Sequence, residues 1–222
     1  MPSDLSFNRR SLMITLPLLA AASQIGGSYP ANAFIGELFG RYGPLSRYGP
    51  RPRERFPIPA VALEKIKPGY LMSVVPYVGP EEPGTLVVRT SERYLYHVGD
   101  RGQAVRYGVG VGREGLAWRG LAYVGRKAAW PRWTPTDAMI AREPKRYARW
   151  AGGMAPGLDN PLGARALYLY RDGGDTMYRI HGTNEPWSVG TFVSSGCIRM
   201  INQDVIELFD RVPVGTRVLV AG

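Results

Sequence analysis

The one cysteine of this chain, Cys197, and one of its two histidines, His181, both lie in the stretch "IHGTNEPWSVGTFVSSGCIRM", residues 180–200. A thiol attacks carbonyl carbon as its thiolate, and a neighbouring imidazole is the usual means of stabilising that form. His181 closes a short run, "YRIHG", that reads as a strand, and the loop after it is long enough to fold back and bring Cys197 to the ring. Gly196, just before the thiol, lets backbone and substrate approach closely and permits a φ that other residues resist. Backbone N–H groups around such a Gly-Cys turn are natural donors to a developing oxyanion. The alternative is a buried, inert thiol, since free cysteine is among the most buried residue types. The polar context Ser-Ser-Gly-Cys-Ile-Arg is less suited to a core position.

Other residues near the pair carry two readings each. On an extended segment, Arg199 faces the same side as Cys197, where it either grips a substrate carboxylate bidentately or forms a structural ion pair. Trp187 is either a groove wall or packing. His97, in the middle of the strand-like "YLYHV", reads as structural. The run "KRYARWAGGMAPGLDNP", residues 145–161, is either a surface connection or a lid beside the thiol.

The N-terminus bears on where such a thiol would work. Arg9 and Arg10 precede an apolar run from Leu12 to Ala22, which is broken by Pro17 and too short for a stable membrane span. With Ala31-Asn32-Ala33 as a cleavage site, residues 1–33 are expected to be an export signal, of the Sec or the twin-arginine kind. The expected compartment is the periplasm, with membrane contact only during export. One cysteine excludes an internal disulfide there, so the thiol is a liability unless buried or used. The net charge of +10 points to an anionic partner. Nucleic acid is unsuited to that compartment, and polymers of the cell envelope fit better.

After the signal, residues 34–60 are rich in Pro, Gly and Arg, repeat "RYGP" and show no apolar period, so they are expected to form a semi-extended tether. From residue 61 onward a single domain is expected. "GTLVVRT", "RYLYHV", "QAVRYGVGVG", "RALYLY", "TMYRIHG" and "TRVLVAG" read as strands, with hairpin turns at "TSER" and "RDGGD". One helix is expected to start near Thr134 and stop before Pro144. Another is expected over "NQDVIELFDRV", capped by Asn202, with Val205, Ile206, Phe209 and Val212 as its apolar face. The fold class is mainly β, a compact sandwich or barrel-like domain with a few attached helices. Gly110, Gly112 and Gly115 satisfy the dinucleotide fingerprint G-x-G-x-x-G, but "LAWRGLAYV" after them reads as a strand, which makes them a hairpin.

The stretch "HGTNEPWSVGTFVSSGCIRM" resembles the signature of the L,D-transpeptidase family, the YkuD domain, and the likeness extends through "GTLVVRTSERYLYHV", "RYGVGVG", "WPRWTPT" and "NPLGARALYLY" to cover roughly Gly84 to Gly222. The resemblance implies an exported, cofactor-free, metal-free enzyme acting on peptidoglycan stem peptides in cell-wall biosynthesis. It implies Cys197 as nucleophile and His181 as base, with the Gly182 carbonyl holding the ring. It also implies loss of a terminal D-Ala through a thioester at the third stem residue, followed by transfer to an amine to give a 3-3 cross-link. The departure is Ser195, where the family usually has a second histidine. Hydrolysis of the thioester, attachment of an envelope protein, or a non-catalytic wall-binding module are the rival outcomes.

Overall fold

The computed structural model describes residues 45–112, 119–194 and 196–222. The expected signal, the first part of the expected tether, Gly115 and Ser195 lie outside the described residues. Runs of β-branched and aromatic residues form strands β1 (Ser73–Pro76), β2 (Leu86–Arg89), β3 (Tyr94–Val98), β4 (Gln103–Gly108), β5 (Val111–Gly112) and β6 (Gly120–Ala129). They continue with β7 (Arg165–Arg171), β8 (Gly174–His181), β9 (Phe192–Ser194), β10 (Ile198–Arg199) and β11 (Arg217–Ala221). Nine strands make one open, mixed sheet in the order β1-β4-β3-β2-β11-β6-β7-β8-β10, and β5 pairs with β9 in a separate two-stranded ladder. Pairs β2–β11, β8–β10 and β5–β9 are parallel. The mainly-β reading with attached helices holds, as do the hairpins β2–β3 and β7–β8. Among the described residues, β5 and β6 do not pair as the expected hairpin after Gly110 and Gly112 would require: they belong to different sheets, and β5 is taken by β9.

Alternation along the strands assigns the two faces of the sheet. Leu86, Leu95, Val105, Val124, Leu167, Ile180 and Ile198 point to one continuous core. Helix α1 (Asp137–Arg142) is capped by Thr136, whose hydroxyl accepts the Met139 N–H, and α2 (Pro144–Tyr147) follows directly. Helix α3 (Asn202–Arg211) covers the core with Val205 and Leu208. Ile206 and Phe209 are only partly buried, so its inner face is turned from the expected one and includes Gln203 and Asp204. Asn202 does not cap the helix. Its amide instead accepts the Ala164 N–H at 2.9 Å and donates to the Thr183 carbonyl at 2.9 Å, tying together the loops on either side.

Residues 45–60, expected as tether, are bound to the domain. Tyr48 is 2% exposed. Its hydroxyl accepts the Met72 N–H at 2.7 Å and donates to Asp204 at 3.3 Å. Arg47, also buried, faces Asp204 at 3.7 Å and Glu207 at 4.0 Å. Further along, Gln203 donates to the Gly49 and Pro59 carbonyls, and Glu54 takes both Arg165 and the Trp130 indole. The segment has no apolar period because separate side chains anchor it: Arg47 and Tyr48 among polar partners on α3, and Ile58 in an apolar cluster with Trp130 and Ala164.

Burial drives the Asp204 carboxyl up to about 7, and the Arg47 charge offsets that only in part. The folded chain therefore holds a proton between pH 4 and 7 that the unfolded chain releases, and this contribution to stability is lost as pH rises through about 7. The difference in Tm between Asp204→Asn and the parent protein is expected to move in favour of the variant from pH 5 to pH 8, by calorimetry. Arg47→Ala, which strands a buried carboxylate, is expected to destabilise by roughly 3–5 kcal/mol at pH 8.

Candidate active site

Parallel pairing of β10 with β8 sets Ile198 beside Ile180 and Arg199 beside His181. Ile180 and Ile198 enter the core, so Arg199 and His181 stand on the opposite face. One step back in the same register, Cys197 comes beside Arg179, on the same face as His181. The thiol bears this out: its sulfur lies 3.9 Å from the Met177 carbonyl oxygen and accepts the Arg179 backbone N–H.

His181 is 3% exposed. Its Nδ1 lies 2.5 Å from the Gly182 carbonyl oxygen, which can only accept, so Nδ1 carries the hydrogen and the neutral ring presents a bare Nε2. A side chain at position 182 would meet the Asn202 Oδ1 at 2.1 Å, so the residue that holds the ring must itself be glycine. Gly196 has φ +127°, in the region that favours glycine, and a Cβ there would press on the Tyr178 ring at 3.1 Å.

The charge states differ from a thiolate–imidazolium pair. Burial lowers His181 to about 3, helped by the Arg199 and Arg179 charges and opposed by the bond to Gly182. Cys197 keeps partial exposure, yet burial is the largest influence on its sulfur and raises the thiol above its ordinary value. The Arg179 backbone N–H and the Arg179 and Arg199 charges act against that rise. At rest both groups are neutral, because the enclosed site disfavours either charge.

Arg199 makes an ion pair with Glu185 at 3.2 Å, and its backbone bonds twice to Gly110. Trp187 is 52% exposed in the turn Pro186–Ser188, with the Lys65 ammonium 5.9 Å from its ring. His97 sits in β3 among core-facing residues, and burial lowers it to about 4, with Arg211 adding to the shift. The loop 145–161 is fastened to the strand-end before it: Arg132 donates to the Gly152 and Gly153 carbonyls, and Asn160 donates to Pro131, Met154 and Ala155. Among the described residues, no three His, Cys, Asp or Glu side chains converge as a metal ion would require.

Sequence reasoning missed Arg179 and Asp175. The alternation in "TMYRIH" carried the signal for the arginine, which shares a face with His181 two residues on. The bulge in β8 carried none. There three residues, 176–178, oppose Leu169 alone, Met177 takes φ +63°, and Asp175 accepts the Met177 N–H while gripping Arg179 at 2.7 and 2.9 Å. This bulge carries the Met177 carbonyl that faces the thiol.

The YkuD family model, described as L,D-transpeptidase catalytic domain, matches residues 83–220, a span that contains every residue of this site. The chain belongs to that family. The probable L,D-transpeptidases ErfK/SrfK and YbiS of Escherichia coli K12 are 38% and 37% identical to it over 138 residues, 60% of this chain. Those residues span only 42% and 43% of the length of these relatives. A Brucella melitensis crystal structure described as a probable carnitine operon oxidoreductase is 46% identical, with a TM-score of 0.50, covering 70% of this chain and 96% of that one. Its description names a different chemistry from that of the family model.

The neutral resting pair sets a pH test for this YkuD site. Alkylation of Cys197 by iodoacetamide is expected to climb with pH through and beyond the ordinary thiol range of about 8.5, with no low-pH plateau. Arg179→Gln is expected to move that profile further up. A plateau below pH 6 in the parent protein would show a thiolate–imidazolium pair instead.

Proposed function

We propose that this chain is an exported cysteine acyltransferase that acts on peptidoglycan stem peptides. The observation that supports it best is the placement of Cys197 on the His181 face of the sheet, with Nδ1 tied to Gly182 and Nε2 left to take a proton. The sulfur attacks the carbonyl on the L-centre of the third stem residue as Nε2 removes the thiol proton, so no full thiolate need form beforehand. The C–N bond to the terminal D-Ala breaks, and His181 returns its proton to the departing amine. An amine from a second stem then takes the acyl group from the thioester, giving the 3-3 cross-link, and the thiol is restored. Gly196 lets the backbone N–H groups at the Gly-Cys turn face the developing oxyanion. Ser195 fills the place of the family's second histidine, and Trp187 walls the groove. Arg199, already paired with Glu185, orients a carboxylate only by sharing its guanidinium. If a protein amine or water reaches the thioester first, the stem is instead attached to an envelope protein or hydrolysed, and the thiol is likewise restored.

Export rests on residues 1–33, and the net charge of +10 suits retention on an anionic wall. Among the described residues no helix is long and apolar enough to cross a membrane.

Incubation with purified tetrapeptide stems, followed by mass spectrometry, is expected to give an adduct on Cys197 with the mass of the stem less D-Ala, then a cross-linked dimer. Cys197→Ser is expected to fold and lose transfer, and His181→Ala to lower kcat by roughly 10²–10⁴-fold. An unmodified Cys197 with all stem lengths, in protein that still binds sacculi, would make this a wall-binding module.

A further inference from the structure

The face that carries the thiol holds a second chemical feature. β6, β7 and β8 align Arg126 with Tyr168 and Tyr168 with Arg179, and the β8–β10 register sets Arg179 beside Cys197. Four side chains thus form one row across four strands. Adjacent strands lie about 4.8 Å apart, so the backbone row spans about 14 Å, the length of roughly four extended residues. The Arg126 side chain shortens that path by folding over its neighbour: its Cζ is 3.5 Å from the Tyr168 ring centroid. The Arg179 Cζ lies 4.4 Å from the same centroid, approaching from the strand on the other side.

The members of the row are unequally engaged. Arg179 is held in a two-point bond by Asp175, which offsets its charge. Arg126 is exposed and, among the described residues, has neither ion pair nor hydrogen bond; its one contact is the stack on Tyr168. Tyr168 is 7% exposed overall; its hydroxyl has no hydrogen-bond partner among the described residues and is not one of the buried orphaned atoms, so it ends at solvent. A phenol that ends at solvent is free to turn its O–H toward an incoming acceptor. Here an uncommitted hydroxyl and an uncommitted guanidinium stand together on the thiol's face, where a planar anion accepts from both at once.

We infer that Arg126 and Tyr168 form a carboxylate subsite that selects the acyl donor, with the carboxylate bound across the Tyr168–Arg126 stack and the reacting carbonyl at Cys197. The inference rests on the donor reading above and names which part of a donor this chain reads. Asp175 keeps Arg179 from competing for the anion and turns away one placed closer to the thiol. Arg126 is a specificity-determining residue and takes no part in bond making.

Two measurements separate this subsite from the donor reading. In the first, stems with free carboxylates and stems with those groups converted singly to carboxamides are compared by kcat/KM. For one of the converted positions, the parent protein is expected to prefer the carboxylate, and Arg126→Gln to reduce that preference about tenfold or more. Arg126→Lys is expected to restore part of it, and Tyr168→Phe, which keeps the ring, to reduce it by less. A preference equal in the parent and Arg126→Gln proteins overturns the subsite while the donor reading stands. The second measurement needs no transfer activity: N-iodoacetyl-4-aminobutyrate and its carboxamide alkylate Cys197 with loss of iodide. The ratio of their rates is expected to exceed one and to fall in Arg126→Gln at high and low salt alike. A ratio unchanged by the substitution, or changed only at low salt, shows diffuse charge attraction and overturns the subsite even if no stem peptide reacts.

Discussion

The site depends on one short parallel pairing. β10 has only two residues, yet its register against β8 decides which residues stand with Cys197. A slip of one position would turn the thiol into the core and bring Ile198 out to the surface. That register is fixed from three sides: Ile180 and Ile198 lock into the core, the Arg199 backbone bonds both ways to Gly110, and the Met200 N–H reaches the His181 carbonyl. Gly110 is part of this lock, since a Cβ there would meet the Ser188 carbonyl oxygen at 2.8 Å. The glycines that mimic a dinucleotide fingerprint in the sequence thus include one that holds the strand after Cys197 in place.

Enclosure of the pair has a chemical cost and a chemical use. It lowers the imidazole and raises the thiol, which in the proposed reaction couples attack to proton transfer. In that reaction it would also strengthen the backbone dipoles at the Gly-Cys turn, which act at a lower dielectric than in water. A neutral thiol is less prone to oxidation than a thiolate.

Much of this was legible in the sequence because it is periodic or local. The strands announced themselves through β-branched and aromatic runs, and His181, Gly196 and Cys197 through residue type and order, while Gly182 entered only through the family resemblance. What stayed hidden is held by single long-range contacts. Arg47 and Tyr48 look like parts of a solvated spacer until Asp204, far along the chain, supplies their partner. Asn202 has the residue type of a helix cap but serves two loops, since Ala164 and Thr183 are nearer claims on its amide. The row from Arg126 to Cys197 joins strands that only the register brings together, and a bulge in β8 shifts its phase by an amount no alternation rule foresees.

The strand order has a bearing on how the chain reaches this state. β11 lies between β2 and β6, so within the nine-stranded sheet those two strands are joined through residues 217–221. β1 to β4 and the strands around the thiol are both translated earlier, and before that strand arrives the backbone link between them is the short contact of Gly110 and β5 with Arg199 and β9. Assembly of the sheet is therefore a late, long-range event, slow by the rule that distant pairings cost loop closure first. Until then β2 and β6 are open edges, exposed to pairing with other chains. A chaperone that shields those two strands would act on the species most at risk of aggregation.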